Sequence, residues 1–370
     1  MVQLNVKGKG EKMFFSGSYQ PRDVQFLLKP ASIDTTPVAE KEALIQSGKR
    51  HYSEMLSPEA VPDERYMDLY AEALERNAGR LHADIKTLAK AIKQREETAA
   101  SCVVVSLVRA GTPIGVLLNR ELERLGVAGA HYSISIIRGR GIDENALAYI
   151  LEHHAPSEIV FVDGWTGKGA ITRELINSVE EFGLGVEPFL AVVADPAGCA
   201  HLAATTEDYV IPSGLLNGVV SGLVSRSVLN DALVGPGDFH ACLFMQEHAD
   251  HDLSNDFLDA VETATPVERT SQHWNRENAQ AAQTACQDML RSIMHDDRVT
   301  DVNRIKPGIA EATRAILRRV PEKVYLADLS DPEVSHMIYL AEKSGVPVEQ
   351  RDLGNYRAVT IIKKLGGEQE

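Results

Sequence analysis

One short segment of the chain combines an acid, a hydroxyl and glycines in a pattern suited to phosphate. Residues 159–171 read IVFVDGWTGKGAI, in which Asp163 ends an apolar run and Gly164, Gly167 and Gly169 follow it. Small residues let backbone N–H groups converge on an anion, and the start of a following helix adds positive potential. The segment therefore predicts a phosphate-binding loop; the alternative is a glycine-rich turn that binds nothing.

Two common phosphate loops do not fit this segment. A Walker A loop needs G-x-x-x-x-G-K-[ST], but Lys168 is followed by Gly169, and Val162 stands five positions before Gly167. The G-x-G-x-x-G fingerprint of dinucleotide-binding proteins does not fit either. The segment is therefore assigned to a different kind of phosphate site.

Alternating strands and helices must position this loop. Five apolar runs predict strands, at 102–108, 131–137, 158–163, 188–195 and 208–212. Three amphipathic stretches predict helices between them, at 112–126, 142–154 and 170–183. This order indicates an α/β fold with a parallel sheet, in which ligands bind at the carboxyl ends of the strands. Residues 66–98 predict a helix or helix pair, and residues 1–60 read as irregular.

A second, smaller α/β unit is predicted at the C-terminus. Its helices lie in KPGIAEATRAILRR and in DPEVSHMIYLAEKSG, where Asp331 is the N-cap and Gly345 the stop. Its strands lie in KVYLADL, VPVEQ and YRAVTIIK. The polar stretch before it, with a helix from Asn275 to about His295, reads as a linker. The predicted divisions are 1–98 (N-terminal elaboration), 99–262 (core), 263–300 (linker helix) and 301–370 (C-terminal domain).

Charge is distributed unevenly along the chain. Residues 301–370 hold 11 basic and 11 acidic side chains, so residues 1–300 carry the whole formal charge of -15. Most of the protein should therefore repel nucleic acid, and RNA binding is expected only in the neutral C-terminal segment.

The chain has the composition of a cytoplasmic protein. No apolar run approaches the ~20 residues of a membrane helix, and the start, MVQLNVKGKGEKMFF, does not read as a secretory signal. The four cysteines are far apart and form no C-x-x-C pair, which predicts neither a disulfide framework nor a zinc site. No metal is assigned to His153-His154 or to His248 and His251.

The loop and its neighbours resemble the type I phosphoribosyltransferases. In that family an apolar strand, an acid and a Thr/Gly-rich loop bind phosphoribosyl diphosphate. SLVRAGTPIG (106–115) resembles the diphosphate loop, IIRGRGID (136–143) the mobile loop, and TEDYVIPSGLLNG (206–218) the base-binding part. The resemblance implies a type I phosphoribosyltransferase-like parallel sheet. One departure is that Gly164 stands where ordinary members carry a second acid.

The resemblance also implies roles for individual residues. Asp163 would hold the ribose hydroxyls of phosphoribosyl diphosphate, which binds with Mg²⁺. Arg109 and Gly111 would hold the diphosphate, and Arg138 or Arg140 would close over it. The residues implied for the remaining substrate contacts are Thr166, Gly167, Lys168, Gly169 and Ala170 at the 5′-phosphate, and Asp208 and Tyr209 at the base.

A more specific resemblance covers residues 17 to about 260. The landmarks GSYQPRDVQFLLKP, QSGKRHYSEML, FVDGWTGKGAI and LNGVVSGLVSRSVL resemble the StiP-type proteins encoded near tellurite-resistance and stress genes. The implied activity is phosphoribosyl transfer to an unknown base-like acceptor, making a nucleoside-like stress metabolite. The family class is often dimeric, so a homodimer is possible.

The C-terminal segment resembles the Pelota-like fold, which binds kink-turn RNA. There a glycine-containing turn opens a helix whose first residues meet RNA. In RIKPGIAEATRAILRR the implied contacts are Lys306, Gly308, Glu311, Thr313 and Arg314, and Arg318 and Arg319 further along the helix could face phosphate. The alternative is an ordinary basic helix that binds no RNA.

Two rival functions and one further pocket stay open. A cysteine protease would need a thiolate activated by histidine, for which Cys199 and His240 are the candidates. The other rival is a non-catalytic sensor that binds a phosphoribosyl or nucleotide ligand and reports through the RNA module. Separately, His51, Tyr52 and Glu54 could line an acceptor pocket, with His51 or Glu54 as a proton acceptor, or could belong to a capped surface turn.

Overall fold

The computed structural model describes residues 15–267 and 274–365. The start of the chain, where no secretory signal was expected, lies outside the described residues. The helices are α1 (Val38–Gln46), α2 (Glu64–Lys93), α3 (Gly111–Arg124), α4 (Glu144–Leu151), α5 (Ala170–Phe182), α6 (Ser254–Thr263), α7 (Arg276–Asp296), α8 (Ile309–Arg318) and α9 (Ser335–Ser344). The strands are β1 (Gln25–Phe26), β2 (Lys29–Pro30), β3 (Ser101–Leu107), β4 (Ala128–Ile134), β5 (Ile136–Ile137), β6 (Gly141–Ile142), β7 (Ile159–Trp165), β8 (Leu190–Ala194), β9 (Leu202–Thr205), β10 (Ala241–Cys242), β11 (Ile305–Pro307), β12 (Pro321–Leu326), β13 (Val348–Gln350) and β14 (Ala358–Ile362).

A six-stranded parallel sheet forms the centre of the core domain, in the order β1–β4–β3–β7–β8–β9. The apolar runs of β3 and β7 are buried on both faces, as central strands of parallel sheets are. Val104 points to a core shared with α2 and α3, whereas Val105 points to a second core shared with α4 and α5. The predicted α/β fold with a parallel sheet is confirmed.

The predicted strand at 208–212 is wrong. The edge strand is β9, which pairs with β8, and residues 208–211 have no strand assignment. Val210 and Ile211 are fully buried all the same. Burial beneath the second domain, not strand pairing, explains why this segment is apolar.

The segment before α2 is more regular than predicted. It contains α1 and two short strands, of which β1 adds to the central sheet beside β4 and β2 pairs with β10. The side chains that α1 buries are Lys41 and Glu42. A helix that buries charged residues has no apolar periodicity, which is why the sequence did not reveal it.

The C-terminal domain has a four-stranded mixed sheet in the order β11–β14–β12–β13. The predicted linker helix, α7, belongs to this domain. Its Cys286, Met289 and Ile293 pack in one apolar cluster with Tyr356 and Ile361. The core of the domain therefore begins before residue 301.

Buried carboxylates hold the two domains together. Asp208 of the core domain accepts hydrogen bonds from the backbone amides of Ile309 and Arg357. In the opposite direction, Glu333 of the C-terminal domain accepts from Asn77 Nδ2 and from the backbone amide of Val210. These bonds fix α8 above the carboxyl end of the central sheet.

Candidate functional site

A cleft of about 300 Å³ lies between the two domains, at the carboxyl end of β7. The loop after β7 forms one wall, and β11 and α8 of the C-terminal domain form the other. Eight basic side chains line it against two acidic ones. The basic residues are Lys41, Arg138, Lys168, Arg226, Lys306, Arg314, Arg318 and Arg319, and the acidic residues are Asp163 and Glu311.

The predicted phosphate loop lines this cleft, but its side chains have partners within the protein. The Thr166 hydroxyl donates to Asp195 Oδ1 at 2.7 Å and accepts from the amide of Ala197. Lys168 Nζ donates to the carbonyl of Ile305 at 2.8 Å, and the Gly167 carbonyl accepts from Tyr356 at 2.6 Å. The loop therefore holds the C-terminal domain in place.

Two glycines around the loop have different tasks. Gly169 has φ of +74° and begins α5, a conformation that favours glycine. A Cβ on Gly111 would lie 2.3 Å from the carbonyl oxygen of Val162. Gly111 therefore lets α3 pack directly on β7, and its predicted diphosphate contact stays a prediction.

Asp163 lies in the cleft as predicted. Its Oδ1 accepts from the backbone amide of Gly164 at 2.8 Å. Removal from solvent raises its pKa to about 7, against the opposing effects of the Gly164 amide and the Arg314 charge. The Asp163 carboxyl can therefore gain or lose a proton near neutral pH.

Arg109 does not line the cleft. Its guanidinium lies 2.7 Å from Glu59 and donates to Asn217 Oδ1 at 3.2 Å. Burial acts to raise the pKa of Glu59, but Arg109 and Arg318 outweigh it and hold the pKa at about 2. Glu59 therefore already pairs with the guanidinium that the resemblance assigned to a diphosphate.

The predicted mobile loop contributes Arg138 but not Arg140. The backbone amide of Arg138 donates to the Tyr52 hydroxyl at 2.8 Å, and both residues line the cleft. Arg140 is instead paired with Glu54 on the outside.

His51 bonds to Ser53 Oγ at 2.8 Å. Of the three residues predicted for an acceptor pocket, His51, Tyr52 and Glu54, Tyr52 is the one that lines the cleft.

Asp208 and Tyr209 do not contact the cleft. Asp208 is 6% exposed and caps α8 from within the domain interface. The Tyr209 hydroxyl donates to Asp84 at 2.7 Å, and the Arg80 guanidinium lies over its ring at 3.5 Å. Both residues connect elements of the fold, so the predicted base contact is not formed here.

Four of the five residues implied for RNA lie towards the core domain, and Thr313 packs within the C-terminal domain. Lys306, Glu311 and Arg314 line the cleft. Gly308 has φ of +89° and lies beside Asp208, and the buried Thr313 bonds to His336 at 2.8 Å. An RNA duplex cannot reach this face while the domains are docked.

Comparison with known proteins assigns the chain to a family. The family described as tellurite-like stress resistance cysteine protease StiP matches residues 17–262, which is more than half of the chain. The chain belongs to the StiP family. A PELOTA RNA binding domain matches residues 284–364. A relative from Acinetobacter baylyi, named cysteine protease StiP, is 40% identical over 369 residues, which cover 96% of each chain.

Solved structures resemble this StiP-family chain only distantly. Hypoxanthine phosphoribosyltransferase of Trypanosoma cruzi is 13% identical with a TM-score of 0.26, covering 35% of this chain and 80% of that one. The enzyme of Leishmania tarentolae is 11% identical with a TM-score of 0.25, covering 39% and 82%. Likeness at this level carries no argument about function.

The prediction of a phosphoribosyltransferase is wrong, and so is the transferase class that went with it. The StiP family and the 40% identical relative are both described as cysteine proteases. These descriptions agree better with the alternative hypothesis of a cysteine protease. The Mg²⁺ expected with phosphoribosyl diphosphate stays an untested prediction. In residues 15–267 and 274–365, no group of three His, Cys, Asp or Glu side chains is placed to hold a metal ion.

The cysteines of this StiP-family chain are poorly placed for proteolysis. Cys102, Cys242 and Cys286 are buried, and Cys199 is half-buried. Burial and the Asp195 charge raise the pKa of Cys199 to about 12. The predicted partner His240 lies elsewhere, with its Nδ1 2.8 Å from Ser135 Oγ.

Several cleft residues were not predicted from sequence. Lys41 comes from α1, and Arg226 from the loop before β10. Burial lowers the pKa of Lys41 to about 7, and the charges of Arg226, Arg318 and Arg319 add to the effect. These residues meet only through folding, and no local motif marks them.

No helix of the described chain is long and apolar enough to cross a membrane.

Proposed function

We propose that the cleft binds a phosphate-bearing small molecule of about the size of a nucleotide. The observation that carries this proposal is the charge imbalance, with eight cations and two carboxylates around about 300 Å³. Clefts of this size suit ligands of a few hundred daltons. The proposal is limited to binding and includes no group transfer.

The energetics of the cleft favour an anionic ligand. Arg314 Nε, Arg318 Nε and Arg318 Nη2 are buried and have no hydrogen-bond partner in the described part of the chain. Burial, together with neighbouring cations, lowers the pKa of Lys168 to about 7 and that of Lys306 to about 8. A phosphate would supply acceptors for the guanidinium groups and relieve the repulsion.

Fluorimetric thermal unfolding with ADP and with inorganic diphosphate, at constant ionic strength, tests the proposal. Both probes should raise the Tm, because binding at about 100 times the Kd stabilises by about 2.7 kcal/mol. Arg314→Gln and Lys306→Gln should reduce the shift. Arg291→Gln is the matched control, because Arg291 is exposed on α7 and pairs with Asp288. No shift in the wild type, or equal shifts in all variants, would refute the proposal.

The stability of the variants without ligand is also informative. Since the Arg314 guanidinium is buried, with its Nε lacking a hydrogen-bond partner in the described residues, Arg314→Gln should fold about as stably as the wild type without ligand. A lost Tm shift in a stable variant separates lost binding from lost folding.

Cysteine proteolysis is the second candidate, favoured by the description of the family and the name of the relative. Cys199 would be the nucleophile, because it is the half-buried cysteine among buried ones. Its neighbour Asp195 already accepts from Thr166, Cys199 N and Ala200 N, and Thr172 Oγ1 lies 3.4 Å from the thiol. A rearrangement that supplies a base is therefore required.

Casein hydrolysis by the wild type and by Cys199→Ser tests this candidate. Loss of hydrolysis in a variant with an unchanged Tm supports it, with Cys286→Ser as the control for a buried thiol. A wild type that cleaves nothing, or a Cys199→Ser variant that cleaves equally well, would exclude Cys199 proteolysis.

A further inference from the structure

Several outward basic side chains of the C-terminal domain are paired with acids. Lys323 lies 3.4 Å from Asp297 and 3.3 Å from Glu349. Arg351 and Arg357 are paired in the same way, with Asp296 and Asp331. A paired surface of this kind offers little uncompensated charge for the phosphates of a nucleic acid.

The weakly compensated cations of the same domain point into the cleft. Lys306 and Arg314 line it without an ion-pair partner within 4 Å in the described residues. Arg318 is 3.9 Å from Glu59, beyond hydrogen-bond distance. Three weakly compensated cations of this RNA-binding-type domain therefore lie together in the cleft.

The cleft has room for one nucleotide-sized group. Its volume of about 300 Å³ is at the lower end for small-molecule sites. The buried bonds of Asp208 and Glu333 keep its two walls together. The body of a duplex is thus excluded by size.

From this arrangement we propose that the ligand is the phosphorylated end of a single-stranded RNA. The proposal rests on the cleft being a phosphate site, as proposed above, and adds the identity of the ligand. A terminal phosphate monoester carries more charge than an internal phosphodiester and can enter the cleft first. The remaining strand then stays outside the cleft.

The cleft also offers an aromatic surface beside the cations. Trp165 lines it, and the Arg314 guanidinium carbon lies 4.5 Å from the centre of the Trp165 ring. Aromatic rings and arginine planes are the groups on which proteins stack unpaired bases. The terminal base would stack here, next to the cations that hold its phosphate.

Fluorescence anisotropy with the full chain tests the proposal. The probes are oligouridylates of about eight nucleotides, within the usual length of single-strand sites. One carries a 5′-phosphate, one a 3′-phosphate, and one only hydroxyls, with the dye at the opposite end. A phosphorylated probe should bind at least about tenfold tighter than the hydroxyl probe, which corresponds to about 1.4 kcal/mol.

The variants and competitors separate this proposal from the function on which it rests. Arg314→Gln should remove the preference for the phosphorylated end, with Lys306→Gln as a second variant, and Arg291→Gln should retain it. Equal binding of hydroxyl and phosphorylated probes, or tighter binding of a hairpin RNA, overturns the inference. If ADP and diphosphate bind and no RNA does, the inference fails and the small-molecule site stands. If no probe binds, both fail.

Discussion

The carboxylate of Asp208 accepts from the backbone amide of Ile309 at 3.0 and 3.2 Å, so an acid of the core domain caps α8 of the C-terminal domain. The same carboxylate accepts from the amide of Arg357 at 2.9 Å. Asp208 therefore joins two segments of the C-terminal domain to the core domain, alongside the bonds of Glu333.

Stability should depend on pH through Asp208. Burial raises its pKa from 3.8 to about 6, against the amides of Arg357 and Ile309. The folded protein keeps the proton up to about pH 6, whereas the unfolded chain loses it near pH 4. The contribution of protonated Asp208 to the free energy of unfolding is therefore complete below about pH 4. It is lost as the pH rises through about 6, and the loss is about 3 kcal/mol at most. Urea unfolding of the wild type and of Asp208→Asn at pH values between about 4 and 6 measures this loss of stability.

In this comparison the stability of the wild type, relative to Asp208→Asn, should fall as the pH rises. Asp68→Asn, which changes an exposed acid on α2, is the control and should run parallel to the wild type. Parallel curves for Asp208→Asn would contradict the prediction.

Ligand binding should weaken as the pH rises. Burial, assisted by neighbouring cations, lowers the pKa of Lys41 and Lys168 to about 7 and that of Lys306 to about 8. These amines are charged at pH 6 and largely neutral at pH 9, so ADP should bind tighter at pH 6. A bound anion raises their pKa, so binding near pH 7.5 should take up protons. Calorimetry in buffers of different ionisation enthalpy measures this proton uptake, which Lys41→Met should reduce. Binding without proton uptake and without pH dependence would refute the prediction.

Glu59→Gln should be strongly destabilising. The change leaves the buried guanidinium of Arg109 without its anion, and breaking a buried ion pair costs about 3–5 kcal/mol. Glu349→Gln removes a surface partner of Lys323 and should cost less than about 1 kcal/mol. Chemical denaturation of both variants makes the comparison. Similar stabilities would mean that Arg109 does not need Glu59.

Gly111→Ala should destabilise the fold by about 1–3 kcal/mol, as overpacking does. The new methyl group would lie 2.3 Å from the carbonyl oxygen of Val162. Gly237→Ala is the matched control, because no atom lies within 4 Å of the added Cβ. If Gly111 served a ligand alone, Gly111→Ala would unfold like the wild type and lose only binding, and thermal unfolding with and without ADP distinguishes the two.

Local patterns were sufficient for most of the core domain. The apolar run of β7, the glycines after Asp163 and the amphipathic α5 place a loop at the carboxyl end of a parallel strand, and the structure has that loop there. Gly345 ends α9 in the left-handed conformation, as its position predicted. These features succeed because strand burial, loop conformation and helix ends depend on neighbouring residues.

Patterns failed where burial and local periodicity disagree. α1 was missed because it buries Lys41 and Glu42, the latter paired with Arg319 of the other domain. Residues 208–212 were misassigned because an apolar run reports burial without reporting strand pairing. In both cases the second domain supplies the environment.

The sequence by itself determined an α/β chain with a glycine-rich loop after Asp163 and a basic helix, α8, near its C-terminus. Only the tertiary structure decided that α8 turns towards the loop, that Glu59 takes Arg109, and that Lys41 and Arg226 join Arg318 in one cleft. The physical reason is that these charges lie far apart along the chain. Their mutual repulsion, and the acids that offset it, exist only when folding brings them within a few ångströms.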